Sequence, residues 1–173
     1  MKNVVLWLAL IIFSSLNINT VYAGEDDIFP DYLWGNKNFI ICGAHMGVAG
    51  YIDKSSLVVK KYNPPEYELS VIIVYVPNAD LGNTRPDFSY VCNFYYNWDE
   101  RKMYGLSESG TWEYIYPVGS FAKTGHYFPG EMAFYLAYNK KFYGGREWYD
   151  ADYGRYIEPS WGDWLYRVVD NAR

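Results

Sequence analysis

The sequence predicts an α+β fold, a meandering antiparallel β-sheet with one helix packed on it and a short C-terminal helix. Three observations support this prediction. Aromatic residues, which favour strands, make up 21% of the 173 residues. Several runs alternate apolar and polar residues with the period of two that strands require. Two segments in the C-terminal part carry apolar residues at helical spacing.

The first 23 residues have the pattern of a signal peptide. Met1–Asn3 carries one charged side chain, Val4–Phe13 is an unbroken apolar run of ten residues, and Val21–Ala23 suits a signal peptidase that cuts after Ala23. A membrane anchor is the weaker alternative, because a spanning helix needs about 20 apolar residues. We therefore expect an exported protein (periplasmic, at the outer surface or secreted). Residues 24–173 would form a single domain with no integral membrane segment after cleavage.

The first strands are predicted from apolar runs and the turn residues between them. Asn38–Ala44 and Val48–Ile52 form a predicted hairpin around Gly47. Asp53–Ser56 has the composition of a turn, and Ser56–Tyr62 is the third candidate strand.

The clearest strand is Tyr67–Val76, which is β-branched and aromatic and is apolar on both faces toward its C-terminal end. That composition predicts a central strand covered on both sides there. After a polar loop, Phe88–Trp98, Arg101–Leu106 and Thr111–Tyr116 are separated by short turns. They predict a three-stranded antiparallel meander.

The better of the two predicted helices is Gly130–Tyr143. Glu131 suits its first turn, two lysines suit its last, and Gly144 is a typical C-terminal stop. A terminal helix is predicted over Ser160–Asn171, with Ser160 as its N-cap.

Charge and composition narrow the possible partners. The net charge of −5 argues against nucleic acid, whose phosphates need a basic face, and against anionic lipid. The 20 tyrosines and seven tryptophans have two interpretations. They are core material, which composition alone favours, or they form an aromatic surface for a sugar or a partner protein.

Cys42 and Cys92 are the two cysteines of the chain. In an exported protein they are predicted to pair. Such a disulfide would close a loop of about 50 residues and stabilise the fold by roughly 4 kcal/mol in the chain-entropy model. A metal site is the weaker alternative, because His45 and His126 are scattered singly rather than at ligand spacing. No metal and no cofactor are predicted.

Catalytic motifs are missing from the sequence. It has no nucleophile elbow, P-loop, dinucleotide-binding fingerprint or zinc-protease motif. His126 lies near Glu131, and Glu100, Glu108 and Glu113 lie on the predicted meander and its turns. A His–carboxylate pair can transfer protons, and two carboxylates about 5 Å or 6.5–9.5 Å apart can hydrolyse a glycosidic bond. A loop histidine and solvated glutamates are the simpler interpretation.

The polar loop between the clearest strand and the meander is the predicted functional surface. Its candidate binding residues are Asn78, Asp80, Asn83 and Arg85. Long ordered loops on a rigid sheet often carry binding. Arg85 would hold a carboxylate or phosphate, or would only tie the loop down. The acidic spacing matches no EF-hand loop, so turn capping is favoured over Ca²⁺ ligation.

A series of short motifs runs through about residues 34–144. The motifs are Trp34, Tyr51-Ile52-Asp53, Ser56-Leu57, Val74, Pro77-Asn78-Ala79-Asp80, Gly82-Asn83-Thr84-Arg85, Arg101-Lys102-Met103-Tyr104, Gly119-Ser120, Thr124-Gly125-His126, Gly130-Glu131-Met132-Ala133-Phe134-Tyr135 and Lys141-Phe142-Tyr143-Gly144. Together they resemble a family of small exported bacterial proteins with no assigned function. The resemblance implies a shared fold and an envelope setting, but no catalytic residues. The opening motif is also similar to the surface-adhesin protein E group of envelope domains. Residues 145–173 lie outside the resemblance and are expected to be an extension.

Export, one domain, abundant aromatic residues and the absent motifs together predict a non-enzymatic binding module for an envelope protein or a glycan. One alternative is a hydrolase of cell-wall polymer that uses His126 or paired carboxylates. The other is a structural or assembly partner, which predicts an exposed aromatic patch or an open sheet edge. The sequence leaves the oligomeric state open.

Overall fold

A computed structural model of the protein describes residues 28–119, 124–159 and 163–173, and it describes residues 124–127 by their backbone alone. The predicted signal peptide and the predicted cap Ser160 lie outside the described residues. Within the described part, no helix has the length and apolar character needed to cross a membrane.

Six consecutive strands form one antiparallel sheet in which each strand pairs with the next along the chain. The sheet curls into a half-barrel, which confirms the predicted meander within an α+β fold. A second, two-stranded sheet lies near the C-terminus. The strands are β1 (Phe39–His45), β2 (Val48–Asn63), β3 (Glu66–Val76), β4 (Phe88–Asn97), β5 (Lys102–Leu106), β6 (Trp112–Ile115), β7 (Trp148–Asp150) and β8 (Arg155–Ile157).

The predicted turn at Asp53–Ser56 is wrong, because β2 runs through it as one long strand. The pairing of β2 with β3 shifts register between Asp53 and Val58. Asp53 Oδ1 accepts hydrogen bonds from the backbone and the hydroxyl of Ser55. The hydroxyl of Ser56 accepts a hydrogen bond from the backbone N–H of Ile72 at 2.8 Å. The polar side chains that suggested a turn therefore stabilise a bulge, where extra residues leave the ladder without ending the strand.

Helix α1 (Thr124–Tyr138) packs on one face of the sheet, which we call the inner face. The Tyr96 hydroxyl donates to the carbonyl of Gly130 at 2.8 Å. A Cβ atom at Gly130 would lie 2.5 Å from Met103 Sδ, so glycine is what allows this close approach. The inner-face residues buried in β3, β4, β5 and β6 are Leu69, Val71, Ile73, Cys92, Phe94, Tyr96, Met103 and Ile115.

The predicted bounds of α1, Gly130–Tyr143, are wrong at both ends. The helix begins at Thr124 and includes Pro129. It ends before Asn139, whose φ of 55° is the left-handed conformation that commonly terminates helices. Phe142 and Tyr143 are fully buried, as their apolar pattern suggested, but they lie beyond the helix.

Glu131 lies inside α1 rather than in its first turn, and it is fully buried. Its carboxylate accepts hydrogen bonds from the backbone N–H groups of Phe142 at 2.7 Å and Tyr143 at 2.9 Å. The Tyr166 hydroxyl donates to the same carboxylate at 2.6 Å. This side chain therefore joins α1 to the segment after it and to the C-terminal helix.

The C-terminal helix α2 (Trp164–Asn171) begins after the predicted Ser160, and Asp163 is its N-cap residue. Leu165, Val168 and Val169 are buried in the same core as the sheet. The last residues of the chain thus pack on the domain.

The predicted disulfide is not present in the structure, where Cys42 and Cys92 are free buried thiols. They lie on β1 and β4, with β2 and β3 between them. β1 and β4 do not pair with each other, so no ladder contact brings the two cysteines into the geometry that a disulfide requires. Burial raises the pKa of both thiols, that of Cys92 to about 12.

Candidate functional site

The loop predicted to bind a ligand is held by its own residues. Asn78 has a φ of 51°, and a short 3₁₀ turn follows it. The Asn83 side chain donates to the carbonyl of Pro77 at 2.6 Å and accepts from the backbone N–H of Arg85 at 3.0 Å. Asp80 and Arg85 are exposed. Asn83 therefore stabilises the loop, and none of the four predicted residues lines either of the two concave regions described below.

The carboxylates considered for hydrolysis do not come together as a group. Glu100 lies in the turn before β5 and Glu108 in the turn after it, at opposite ends of that strand. Glu113 on β6 pairs with Gly105, in the row of inner-face residues. The side chain of His126 is outside the described part of the structure.

Three tryptophans, Trp98, Trp112 and Trp148, differ in how far their rings are buried. Trp98 is half-buried, with its ring stacked 5.6 Å from that of Phe134, and the guanidinium of Arg101 lies 3.3 Å from its ring centroid. Trp148 is half-buried and donates its indole N–H to the carbonyl of Tyr143. Trp112 is 39% exposed. Of these three, only Trp112 is exposed, and it lies on the sheet face opposite α1.

A concave region of about 340 Å³ surrounds Trp112, and we call it the outer depression. The antiparallel register explains its composition. Tyr95 pairs with Tyr104 across β4 and β5, and Glu66 pairs with Asn97 across β3 and β4. Because successive side chains of a strand alternate between faces, these residues point away from α1. The lining residues are Glu66, Tyr95, Asn97, Glu100, Tyr104 and Trp112.

The aromatic rings of the outer depression are tilted against each other. The ring of Tyr95 lies 5.8 Å from that of Tyr104 at 46°, and 6.0 Å from that of Trp112 at 52°. Tyr114 continues the row beside Tyr104, with ring centroids 5.5 Å apart. Tilted rings form a concave wall rather than a flat platform.

Two carboxylates are fixed at the edge of the outer depression. The Tyr95 hydroxyl donates to Glu66 Oε1 at 3.0 Å, and Lys61 donates to Glu66 Oε2. Lys102 donates to Glu100 Oε2 at 2.9 Å. The hydrogen bond from Lys61, followed by that from Tyr95, lowers the pKa of Glu66 below its ordinary value. Glu66 is therefore a charged acceptor at neutral pH.

A second concave region, the mouth cleft, lies on the inner face beside α1 and has a volume of about 430 Å³. The rings of Tyr75 and Phe88 stack nearly parallel there, 4.9 Å apart at 10°. The Tyr75 hydroxyl accepts from that of Tyr90 at 3.0 Å, and burial raises the pKa of Tyr75. The lining is mainly apolar: Cys42, Gly43, Ala44, His45, Met46, Val48, Gly50, Tyr75, Phe88, Phe128 and Pro129.

The two regions offer different chemistry. Specific small-molecule sites combine apolar surface with a few placed polar groups. The outer depression has both, with charged acceptors at fixed positions, whereas the mouth cleft offers little besides apolar area. Within the described part of the chain, no group of three or more His, Cys, Asp or Glu side chains could hold a metal ion.

Sequence reasoning missed the outer depression although its three aromatic residues lie in predicted strands. Alternation in β4 places Tyr95 on the face opposite Phe94, and this pattern is visible in the sequence. The pairing of Tyr95 with Tyr104 depends on register, which turn lengths alone did not specify. Comparison of the chain with protein-family models, curated proteins and solved structures found no match.

Proposed function

We propose that the protein is an exported, non-enzymatic binding domain that recognises a glycan at its outer depression. The observation that carries the proposal is the set of tilted rings of Tyr95, Tyr104 and Trp112 beside two anchored carboxylates. A sugar ring has an apolar C–H face and a polar hydroxyl edge. Aromatic side chains with one apolar and one polar end match this duality.

The polar groups match the hydroxyl edge of a sugar. Glu66 and Glu100 offer carboxylate acceptors, and Asn97 offers an amide that both donates and accepts. Hydrogen bonds to ionised acceptors are stronger than neutral ones. Anchoring by Tyr95 and the lysines holds the two carboxylates in place before a ligand arrives, which lowers the entropic cost of binding.

The charge state of Glu66 favours binding over hydrolysis. A glycosidase needs one carboxyl group that stays protonated, with its pKa raised, to act as the general acid. The pKa of Glu66 is instead lowered by Lys61 and Tyr95. Glu66 therefore suits a hydrogen-bond acceptor rather than a proton donor.

Assembly with a protein partner is the second candidate, and it is favoured by a different surface. Phe88, which lines the mouth cleft, is 50% exposed, and Tyr90 on the same face of β4 is 41% exposed. β6 is the last strand of the sheet order, and a strand at a sheet edge can pair with another chain. The two exposed rings support binding at the inner face. The edge strand β6, which also carries Trp112 of the outer depression, supports strand pairing at the sheet edge.

A panel of cell-envelope oligosaccharides tests the proposal by isothermal titration calorimetry. We expect W112A to weaken the best-bound sugar about tenfold or more, equivalent to ~1.4 kcal/mol. Y149A is the matched control, because Tyr149 is 58% exposed on β7, outside the depression, and its loss should leave affinity unchanged. Absence of binding across the panel, or equal affinities of wild type and W112A, would refute the proposal.

Export is tested separately. N-terminal sequencing of the protein recovered from a bacterial host should begin at Gly24. A chain retaining Met1 in the cytoplasm would contradict export without bearing on the glycan site.

A further inference from the structure

We infer that the glycan recognised at the outer depression carries a primary ammonium group, as a deacetylated amino sugar does. This inference rests on the proposed function and narrows its ligand class.

Ring geometry is the first observation. Aromatic rings that surround a cation do so from several directions, because the negative faces of the rings attract the charge. Tyr104 and Trp112 are inclined to Tyr95 by 46° and 52° and line one concavity with it. The mouth cleft of the same protein provides the contrast, since Tyr75 and Phe88 there stack at 10° and present a flat surface.

Charge is the second observation. Two of the six residues lining the outer depression are carboxylates, and none of the six is a lysine, arginine or histidine. Lys61 and Lys102 form ion pairs with Oε2 of Glu66 and Glu100 respectively, which offset part of the negative charge of the two carboxylates. The net charge of the chain, −5, adds a field that attracts a cationic ligand and repels an anionic one.

The acceptors indicate a primary ammonium rather than a quaternary one. A primary ammonium has three N–H donors. Glu66 Oε1, Glu100 and the side-chain oxygen of Asn97 are acceptors at the same concavity. Each already accepts one hydrogen bond within the protein, from Tyr95, Lys102 and the backbone N–H of Glu100 respectively, and a carboxylate or amide oxygen can accept a second. A trimethylated nitrogen has no N–H group to donate to them.

The experiment compares a glucosamine oligomer with its fully N-acetylated counterpart of equal length, at pH about 6, where the amine is protonated. Wild-type protein should bind the amine form about tenfold more tightly, a difference of ~1.4 kcal/mol. E100Q should lose most of that preference, because the substitution weakens binding of the amine form more than binding of the acetylated form. E147Q is the matched control, because Glu147 is exposed and outside the depression.

The outcomes separate the two proposals. Equal binding of the two oligomers by wild type overturns the ammonium inference and leaves glycan binding intact. Failure to bind either oligomer or any other sugar overturns glycan binding itself. Equal loss of amine binding in E100Q and E147Q overturns the inference as well, because the attraction would then be a general effect of protein charge.

Discussion

The inner and outer faces of the same strands use the same kind of residue for opposite purposes. On β4, Phe94 and Tyr96 are fully buried beneath α1, whereas Tyr95 between them faces the outer depression. The chemical type of these side chains is nearly constant. What covers the face decides whether an aromatic residue stabilises the fold or remains available to a ligand.

On the inner face, the side chains of a single row also change from buried to exposed along the strand. Phe88, Tyr90, Cys92, Phe94 and Tyr96 alternate onto the inner face of β4, as the sequence predicted. The last three are buried, but Phe88, which lines the mouth cleft, and Tyr90 are exposed. We therefore expect substitutions beneath α1 to change stability, and substitutions in the outer depression to change binding.

The largest expected loss of stability is that of F134A. Phe134 is buried in α1, with its ring centroid 4.8 Å from that of Tyr96 and 5.0 Å from that of Phe142. Deleting a buried phenylalanine ring costs about 3–5 kcal/mol. Urea denaturation followed by circular dichroism should show this loss, and F134L should show a smaller one. Less than about 1 kcal/mol for F134A would mean that α1 does not pack on the inner face.

E131Q should destabilise the fold by about 1–3 kcal/mol, because its amide group faces donors that the carboxylate accepted. Burial raises the pKa of Glu131 above its ordinary value of 4.5, against the opposing effect of the hydrogen bond from Tyr166. A raised folded-state pKa means that the contribution of this group to the free energy of unfolding is full below the unfolded-state pKa. That contribution then falls as pH rises through the folded-state value.

Denaturation curves measured over a range of pH should therefore show the difference in free energy of unfolding between wild type and E131Q changing in one direction. The stability advantage of wild type over E131Q should narrow as pH rises above about 4.5. E131Q is the control for the pH dependence of wild type, because it lacks the titrating carboxyl group. An advantage that widens with pH would show that hydrogen bonding, rather than burial, dominates the pKa of Glu131.

W112A should change the free energy of unfolding by only about 0.5 kcal/mol, as is usual for surface substitutions. This small effect would accompany the loss of glycan affinity expected above, so the pair of measurements separates the two faces. A loss of stability approaching that of F134A would mean that Trp112 belongs to the core rather than to a binding surface.

A reductant should have the smallest effect, no change in stability. Cys42 and Cys92 are free thiols in the structure, so there is no bond to reduce. Denaturation curves with and without dithiothreitol, together with thiol counting in denaturant, check this. A loss near 4 kcal/mol on reduction would instead support the disulfide predicted from export.

Local sequence patterns predicted most of the strands because alternation is a property of neighbouring residues. They failed where a side chain had a distant partner. The turn residues Asp53 and Ser56 stabilise a bulge through contact with β3. Glu131 has the composition of a helix start, yet it binds backbone groups of Phe142 and Tyr143 beyond the helix.

The sequence by itself determined the antiparallel meander, the period-two rows of β3 and β4 and the abundance of aromatic residues. Tertiary structure alone decided which row α1 covers, and that Tyr95, Tyr104 and Trp112 meet beside Glu66. The physical reason is that alternation fixes which side chains share a face. Strand register and helix docking then determine which of them become neighbours and which face stays open to solvent.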